Sequence, residues 1–406
     1  MRALLLVLDG LGVGEMLDVV SDRLQDKGAF TLRNIVKDRD LRKLDNFINF
    51  GLGNIVTSDL PPASNPIFFY GKAELMHHGA DTFWGHQEIA GSKPTRPIFQ
   101  FVREVADELV QAYKEKGYKA RTYGKDKDIV IVEEKVAVAD NMEADMGQII
   151  NVIGSVEDLS WQEIQEIGKV TRAVVKTSRV NYHAADDINL DYILSGQRKD
   201  ISADGKTWHI GIDVAKLNIY DRNFHAYHHG YGIDPKVQIP SILTRNGFPV
   251  SLIGKAQDII ECPGAEYNPA VYTDKVLELI INRLSSMREG FIFANVQEID
   301  LAGHSQDADK GFRILSMVNQ KLPEIVNSLN KGDLFIITAD HGNDPFIGHS
   351  NHTREQVPIL AQIIGNKVGK NLGTRKTLSD IAATISDYFG VEPPQNGTSF
   401  LKELKS

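Results

Sequence analysis

The chain has 406 residues, 42% of them apolar, which is enough to bury a large core in two or three domains. Its 45 lysines and arginines against 54 aspartates and glutamates give a formal charge of −9, which argues against nucleic-acid and anionic-membrane partners. Cys262 is the only cysteine, so neither an internal disulfide nor a thiolate metal cage can form, and without an apolar stretch of membrane-spanning length we expect a cytoplasmic protein.

The first hundred residues predict a buried strand, a helix and a long irregular stretch. Residues 3–8 form a short apolar run that ends at Asp9 in a glycine-rich loop, as buried parallel strands do. Apolar residues at helical spacing predict a helix over residues 32–50. Residues 63–93 are rich in glycine, proline and histidine with weak periodicity, and long irregular stretches of this kind are often functional.

The middle of the chain has a different character. Apolar spacing predicts a helix over residues 101–117, and residues 129–132 and 170–175 are predicted strands on either side of a helical stretch at 160–167. Up to about residue 229 the pattern is mixed and polar, which is typical of an α+β domain. We therefore predict that residues 98–229 are an inserted domain and that residues 1–97 and 230–406 together form the core.

The last part of the chain alternates between helices and strands. The predicted elements are a helix at 271–287, a strand at 291–296, a helix at 310–329, strands at 334–338 and 357–363, and a helix at 377–389 that Gly390 closes. This alternation predicts an α/β fold in which helices cover a mostly parallel sheet.

Metal-ligating side chains follow three of the predicted strands. They are Asp9, Asp300 with His304, and Asp340 with His341, while His352 lies shortly before residue 357. One such residue alone is usually a turn or cap residue, but the carboxyl ends of parallel strands meet at one edge of a sheet. Carboxylate and imidazole ligands suit Mn²⁺ or Zn²⁺ better than Ca²⁺, and two metals about 3.5–4 Å apart clamp a phosphoryl group. The pattern therefore predicts a two-metal phosphoryl-transfer site.

Thr82 is the candidate nucleophile of this site. It is the only hydroxyl-bearing residue between Asp81 and His86, within the segment GADTFWGHQEIAG at residues 79–91. A metal can activate such a hydroxyl. Taken alone, the segment would fit better with a threonine that caps a helix or lies in a turn.

Several segments resemble the phosphopentomutase family, a branch of the alkaline-phosphatase-like metalloenzymes. The matching segments are VLDGLGVG, DTFWGHQEIAG, GKAQDI, ADHGNDP, HTREQVPIL and NGTSFL, which together span nearly the whole chain. The resemblance implies an alkaline-phosphatase-like core made of both chain ends, with a substrate-binding cap domain inserted after the nucleophile loop.

The resemblance also implies roles for individual residues. Asp9, Thr82, Asp340 and His341 would surround one divalent metal, and Asp300, His304 and His352 would bind the other. Thr82 would carry a phosphoryl group, and Lys255 would contact phosphate. The expected metal is Mn²⁺, with Zn²⁺ and Mg²⁺ as alternatives, and a sugar bisphosphate is the expected activator.

This chain departs from the family pattern at two places. Asp300 and His304 are one residue closer than in most pentomutases, as in cofactor-independent phosphoglycerate mutases. After Ser178 the chain reads RVNYH, where pentomutases have a sugar-contacting motif of the Ser-Ala-Asp type. For the other candidates the sequence does not distinguish a surface or hinge residue from a contact to the substrate or to the outer shell of the metal site. These candidates are Arg222, His225, His228, His229 and His349.

The main hypothesis is an isomerase, a phosphosugar mutase that converts a pentose 1-phosphate to a pentose 5-phosphate through a phosphothreonine. Two alternatives share the same core, a metal-dependent phosphohydrolase and a mutase with another phosphorylated substrate. A third alternative is a protein that binds a phosphorylated ligand without turnover. It is disfavoured because the metal ligands and Thr82 are all present.

Overall fold

The structure is a computed structural model, and the residues it describes are 1–56, 59–96, 98–142, 146–201, 205–219, 222–366 and 368–406. The chain divides into two compact units. The core unit comprises Met1–Pro94 and Asp234–Ser406, and the inserted unit comprises Thr95–Ile233. Among the described residues, no helix combines the length and the apolar character needed to cross a membrane.

The strands and helices are numbered in chain order. The strands are β1 (Arg2–Leu8), β2 (Phe69–Ala73), β3 (Ala120–Tyr123), β4 (Ile129–Val132), β5 (Val136–Asn141), β6 (Ile149–Ser155), β7 (Arg179–Ala185), β8 (Gln197–Ile201), β9 (Trp208–Ile212), β10 (His225–Gly230), β11 (Val250–Gly254), β12 (Glu266–Asn268), β13 (Gly290–Val296), β14 (Leu334–Thr338), β15 (Val357–Ile363) and β16 (Asn371–Arg375). The helices are α1 (Val19–Asp22), α2 (Thr31–Val36), α3 (Asp45–Phe50), α4 (Leu52–Ile55), α5 (Thr82–Ile89), α6 (Val102–Glu115), α7 (Trp161–Val174), α8 (Leu190–Ser195), α9 (Ile239–Arg245), α10 (Ala256–Ile259), α11 (Thr273–Ser286), α12 (Glu298–His304), α13 (Ala308–Ser328), α14 (Ser379–Phe389) and α15 (Leu401–Leu404).

The core unit is built on a mostly parallel sheet. Its strand order is β12-β11-β13-β1-β14-β15-β2-β16, and the first five of these strands run parallel to one another. β15 is antiparallel to both of its neighbours. The predicted α/β fold with a mostly parallel sheet is confirmed, and β1, β13, β14 and β15 lie where the apolar runs predicted strands.

The register of the three central strands decides where the site lies. Leu8 of β1 pairs with Val296 of β13, and Val7 pairs with Thr338 of β14. The residues that follow these strands therefore emerge side by side at one edge of the sheet. Asp9 follows β1 directly, α12 begins just after β13, and Asp340 lies two residues beyond β14.

The inserted unit has its own sheet, in the order β10-β7-β6-β5-β4-β3, with β9 pairing with β5 and β8. An apolar cluster joins α6 and α7 to one face of this sheet. The predicted strand at 170–175 is wrong, because residues 170–174 belong to α7 and residue 175 is its C-cap. Ile164, Ile167 and Thr171 repeat at helical spacing and are buried, so the helix is stabilised despite its β-branched end.

Two predictions for the first hundred residues also fail. The single helix over 32–50 is divided into α2 and α3 with a 3₁₀ turn, Leu41–Leu44, between them. α2 ends at Val36, two residues before Asp38, whose φ of 58° is incompatible with a continuous helix. The stretch at 63–93, predicted to be irregular, contains β2 and α5.

Candidate metal centre

All the residues predicted to bind metal lie together in the core unit, at the carboxyl edge of the central strands. α12 places Asp300 and His304 one turn apart on the same helix, at i and i+4. Asp9, Asp340 and His341 are fully buried, while His304 is exposed. The cluster therefore extends from the protein interior to the surface.

The first ligand group consists of Asp9, Asp340 and His341, with Thr82 beside it. Nε2 of His341 lies 3.5 Å from Oδ1 of Asp9 and 3.2 Å from Oδ2 of Asp340. The Thr82 hydroxyl donates to Oδ2 of Asp340 at 2.7 Å and lies 3.3 Å from Oδ1 of Asp9. The three ligand atoms are close enough together to bind one ion.

The second ligand group consists of Asp300, His304 and His352. Nε2 of His352 lies 3.0 Å from Nε2 of His304 and 3.3 Å from Oδ1 of Asp300. Nε2 of His304 lies 3.4 Å from Oδ2 of Asp300. The rings of His341 and His352 stack at 3.9 Å between centroids, so the two groups are contiguous, and Asp300, His341 and His352 could also share an ion.

In each of the three ligand histidines, Nδ1 lies near a backbone carbonyl oxygen, which leaves Nε2 available to bind metal. Nδ1 of His304 contacts the Ser350 carbonyl oxygen at 2.6 Å, and Nδ1 of His341 contacts the carbonyl oxygen of Gly342 at 3.0 Å. Nδ1 of His352 lies 3.3 Å from the Ala80 carbonyl oxygen. A histidine whose Nδ1–H donates to a carbonyl presents an unprotonated Nε2, which is the form that binds metal.

The chemistry of the first group fits a bound cation. Within the described part of the chain, Nε2 of His341 is buried and makes no well-aligned hydrogen bond, although carboxylate oxygens lie 3.2 and 3.5 Å away. Burial and the charge of Asp340 raise the pKa of Asp9 to about 6, although the nearby Lys255 opposes this. A buried imidazole nitrogen without a well-aligned hydrogen bond and crowded carboxylates are both costly, and a divalent ion would relieve both costs.

Thr82 is the first residue of α5, and it does not cap that helix. Asp81 is the cap, because its side chain accepts a hydrogen bond from the Trp84 backbone N–H at 3.0 Å. The helix approaches Asp340 closely at Gly85, where a Cβ atom would lie 2.6 Å from the Asp340 carbonyl oxygen. Only glycine allows this approach, which brings the Thr82 hydroxyl to the ligand carboxylates.

Lys255 lies between the two ligand groups. Its Nζ atom is 2.9 Å from Oδ2 of Asp9 and 3.5 Å from Oδ2 of Asp300, and its side chain is 14% exposed. Burial alone would lower the pKa of Lys255, but the surrounding carboxylates outweigh burial and raise it, so the lysine is a fixed positive charge. Its contact with phosphate stays a prediction.

Three buried side chains at this centre were not predicted from the sequence. They are His86, Asn295 and Asn343. Asn343 donates to Oδ1 of Asp300 at 2.8 Å, and Asn295 donates to Oδ2 of Asp9 at 2.9 Å. Their closeness in sequence to the predicted ligands and to Thr82 was the available signal, but an amide or imidazole in a predicted strand or loop has no distinctive spacing.

The remaining candidates lie elsewhere. Nε2 of His349 lies 3.2 Å from Oδ1 of the buried Asp26, outside both ligand groups. In the inserted unit, His225, His228 and His229 belong to β10, which pairs with β7. Arg222 donates to the Asp187 carbonyl oxygen at 2.9 Å in the same unit.

Comparison with known proteins gives matches over the whole chain. A family model described as the metalloenzyme superfamily matches residues 1–393. The phosphopentomutase of Caldanaerobacter subterraneus subsp. tengcongensis is 30% identical over 99% of this chain and 98% of its own length. That of Herpetosiphon aurantiacus is 32% identical over 100% and 99%. A solved phosphoglycerate mutase of Leishmania mexicana aligns with 98% of this chain and 96% of its own, at 12% identity and a TM-score of 0.48.

Proposed function

The chain belongs to the metalloenzyme superfamily, and on that premise we propose that it is a metal-dependent phosphosugar mutase that transfers a phosphoryl group through Thr82. Its full-length relatives are named phosphopentomutases, which supports the conversion of a pentose 1-phosphate to a pentose 5-phosphate. The observation that carries the proposal is the 2.7 Å hydrogen bond from the Thr82 hydroxyl to Asp340, inside a cluster of metal-ligating side chains.

The two ligand groups would hold two divalent ions. Asp9, Asp340 and His341, with Thr82, would bind one, and Asp300, His304 and His352 would bind the other. Mn²⁺ is the expected ion, with Zn²⁺ and Mg²⁺ as alternatives, because carboxylates and imidazoles are mixed in both groups. When bound, such ions neutralise charge on a transferring phosphoryl group and lower the pKa of a coordinated hydroxyl.

The protein's own residues would position the reacting atoms. In the resting enzyme Thr82 carries the phosphoryl group, which a sugar bisphosphate supplies at first loading. The Oγ1–P bond breaks as a substrate hydroxyl oxygen bonds to the phosphorus and the proton of that hydroxyl passes to Oγ1, which gives a sugar bisphosphate and a free Thr82 hydroxyl. In the return step Oγ1 bonds to the other phosphorus, the bond from that phosphorus to the sugar oxygen breaks, and the Thr82 proton passes to the sugar oxygen. Lys255 would hold the phosphate oxygens, a role supported by its position 2.9 Å from Oδ2 of Asp9, and in the unphosphorylated state the Thr82 hydroxyl donates a hydrogen bond to Asp340.

The experiment is to incubate the protein with ribose 1-phosphate, Mn²⁺ and a catalytic amount of sugar bisphosphate. We expect ribose 5-phosphate with little free phosphate, and Asp340→Asn should abolish its formation. Asp309→Asn, which changes an exposed carboxylate on α13, is the control and should retain activity. Free phosphate and ribose without ribose 5-phosphate would contradict the mutase and support a phosphohydrolase.

The substrate class and the role of the inserted unit stay predictions of the same proposal. The RVNYH segment lies in β7, and its His183 is buried and stacks on Phe224. Burial lowers the pKa of His183 to about 4, so it is a neutral side chain at pH 7. Comparing ribose 1-phosphate with other sugar and glycerate phosphates would test whether the substrate is a pentose phosphate.

A further inference from the structure

A buried histidine on the Thr82 helix contacts the first ligand group from behind. His86 is fully buried, one turn after Thr82 on α5, and its ring stacks on Phe293 of β13. Nδ1 of His86 lies 2.8 Å from the Thr82 carbonyl oxygen and 3.2 Å from Oδ2 of Asp340. Both of these oxygens are acceptors, so Nδ1–H donates toward the nucleophile's backbone and a ligand carboxylate.

The other ring nitrogen reaches a second buried residue. Nε2 of His86 lies 3.1 Å from Oδ1 of Asn295, which is fully buried in β13. The amide nitrogen of Asn295 donates to Oδ2 of Asp9 at 2.9 Å. Because an ionised carboxylate only accepts hydrogen bonds, the Asn295 amide must present its NH₂ to Asp9 and its oxygen to His86. Nε2–H of His86 therefore donates to that oxygen, so both ring nitrogens of His86 carry a proton.

These contacts form a continuous connection of polar contacts from α5 to the residues that follow β1 and β14. It joins the Thr82 backbone through His86 and Asn295 to Asp9, with a branch to Asp340. We propose that His86 and Asn295 are positioning residues, which fix the Asp9 carboxylate relative to the start of α5 so that ligand and nucleophile are aligned before a metal or substrate binds. The inference rests on the proposed role of Thr82 as the nucleophile.

Two substitutions of His86 separate its two contacts. The amide of an asparagine can occupy the place of Nδ1, and the amide of a glutamine can occupy the place of Nε2. His86→Gln therefore keeps a donor toward Asn295, whereas His86→Asn loses it and keeps only the Thr82 side. Asn295→Ala removes the donor to Asp9 altogether.

The chain offers matched controls for Asn295. Asn319 is also a buried asparagine of the core unit whose Nδ2 donates to a carboxylate, Oδ1 of Asp45, at 2.9 Å. Like Asn295→Ala, Asn319→Ala therefore removes a buried asparagine and its hydrogen bond to a carboxylate, but it does so away from the ligand groups. Asn343→Ala removes the corresponding donor to Asp300 in the second group.

The test is titration of the metal-stripped, full-length protein with Mn²⁺ by calorimetry, after thermal unfolding has shown that each variant is folded. Loss of an outer-shell partner typically weakens metal binding by about 10–100-fold. We expect Asn295→Ala to weaken one binding step by that factor and Asn343→Ala to weaken the other. His86→Asn should also weaken the Asn295-sensitive step, and His86→Gln should restore it.

The proposal is overturned if folded Asn295→Ala binds Mn²⁺ like the wild type, or if Asn319→Ala weakens binding as much. If His86→Asn and His86→Gln bind Mn²⁺ with equal affinity at the step that Asn295→Ala weakens, the contact between His86 and Asn295 has no positioning role. Calorimetry measures metal binding and needs no turnover. If the wild-type protein binds Mn²⁺ but never carries phosphate on Thr82, the assignment of Thr82 as the nucleophile is refuted, while the effects of the substitutions on Mn²⁺ affinity can still be measured.

Discussion

The Thr82 hydroxyl donates a hydrogen bond to Asp340 at 2.7 Å, although the two residues are 258 positions apart in the chain. The contact exists because α5 begins where β14 ends, at the edge of the sheet where Asp9 also emerges. The proposed phosphoryl transfer through Thr82 requires that the helix keep its close approach to the strand.

Gly85 tests that approach. In Gly85→Ala the new methyl group would lie 2.6 Å from the Asp340 carbonyl oxygen and 2.8 Å from its Cβ, so α5 must move away. We expect a loss of about 1–3 kcal/mol in the free energy of unfolding, the usual cost of overpacking, and a large fall in kcat. Denaturant unfolding and steady-state kinetics measure the two effects.

Gly311→Ala on α13 is the matched control. Its methyl group would lie 3.1 Å from the end of the Ile35 side chain, which can shift. Equal losses of activity in the two variants would refute a specific role for the α5 approach.

Metal removal should lower the thermal stability of the protein. The centre gathers three buried carboxylates, Asp9, Asp300 and Asp340, and a bound ion relieves their repulsion. A ligand present at a hundred times its Kd stabilises the native state by about 2.7 kcal/mol. We expect Tm to fall on chelation and to recover with Mn²⁺, and an unchanged Tm in millimolar Mn²⁺ would contradict the site.

The amino end of the central strand is held by a buried ion pair, remote from the centre. Nη2 of Arg2 lies 2.6 Å from Oδ2 of Asp333, and both side chains are at most 5% exposed. Arg2→Ala leaves a buried carboxylate uncompensated, so we expect a loss of about 3–5 kcal/mol in the free energy of unfolding. Chemical denaturation measures it, with Arg42→Ala, which breaks an exposed pair, as a control without measurable effect.

Glu88 should make the stability of the protein depend on pH. It is buried on α5, where it accepts hydrogen bonds from Nδ1 of His77 at 2.8 Å and from the Thr377 hydroxyl at 2.6 Å. Burial alone would raise the pKa of Glu88, but these partners outweigh burial and lower it. A folded-state pKa below the unfolded one means that the carboxylate stabilises the fold above the ordinary glutamate pKa, and that this stabilisation is lost as the pH falls through the folded-state value.

Glu88→Gln should therefore destabilise the protein most near neutral pH, by at least about 1.5–3 kcal/mol, the worth of one hydrogen bond to a charged group. The difference from the wild type should shrink below about pH 4, the ordinary range of a glutamate. Unfolding curves across pH measure it, and Glu289→Gln, at an exposed position, provides the baseline. A difference that grows in acid would contradict the assigned sign.

The parts of the site that were predictable are those set by local pattern. Apolar runs mark buried parallel strands. Asp9 follows one such run directly and Asp340 lies two residues beyond another, so their meeting at one edge follows from the sheet. The last part of α7 was wrongly predicted to be a strand because valines favour strands, although Ile164, Ile167 and Thr171 have helical spacing.

The supporting contacts could not be predicted, because each depends on packing between distant segments. Asn295 lies inside β13, and nothing local indicates that its amide faces Asp9. α5 is stabilised by its burial and by contacts of Glu88 with residues almost three hundred positions away, while its own sequence has weak amphipathic character. Long-range contacts of this kind override local propensity.

The most direct test of the account is the location of phosphate on the protein. The wild type, incubated with sugar bisphosphate and Mn²⁺ and then digested, should yield one phosphorylated peptide, with the phosphoryl group on Thr82. Thr82→Ala should carry none and form no ribose 5-phosphate, whereas Thr82→Ser should retain both. Undiminished formation of ribose 5-phosphate by Thr82→Ala, or phosphate on another residue in the wild type, would contradict it.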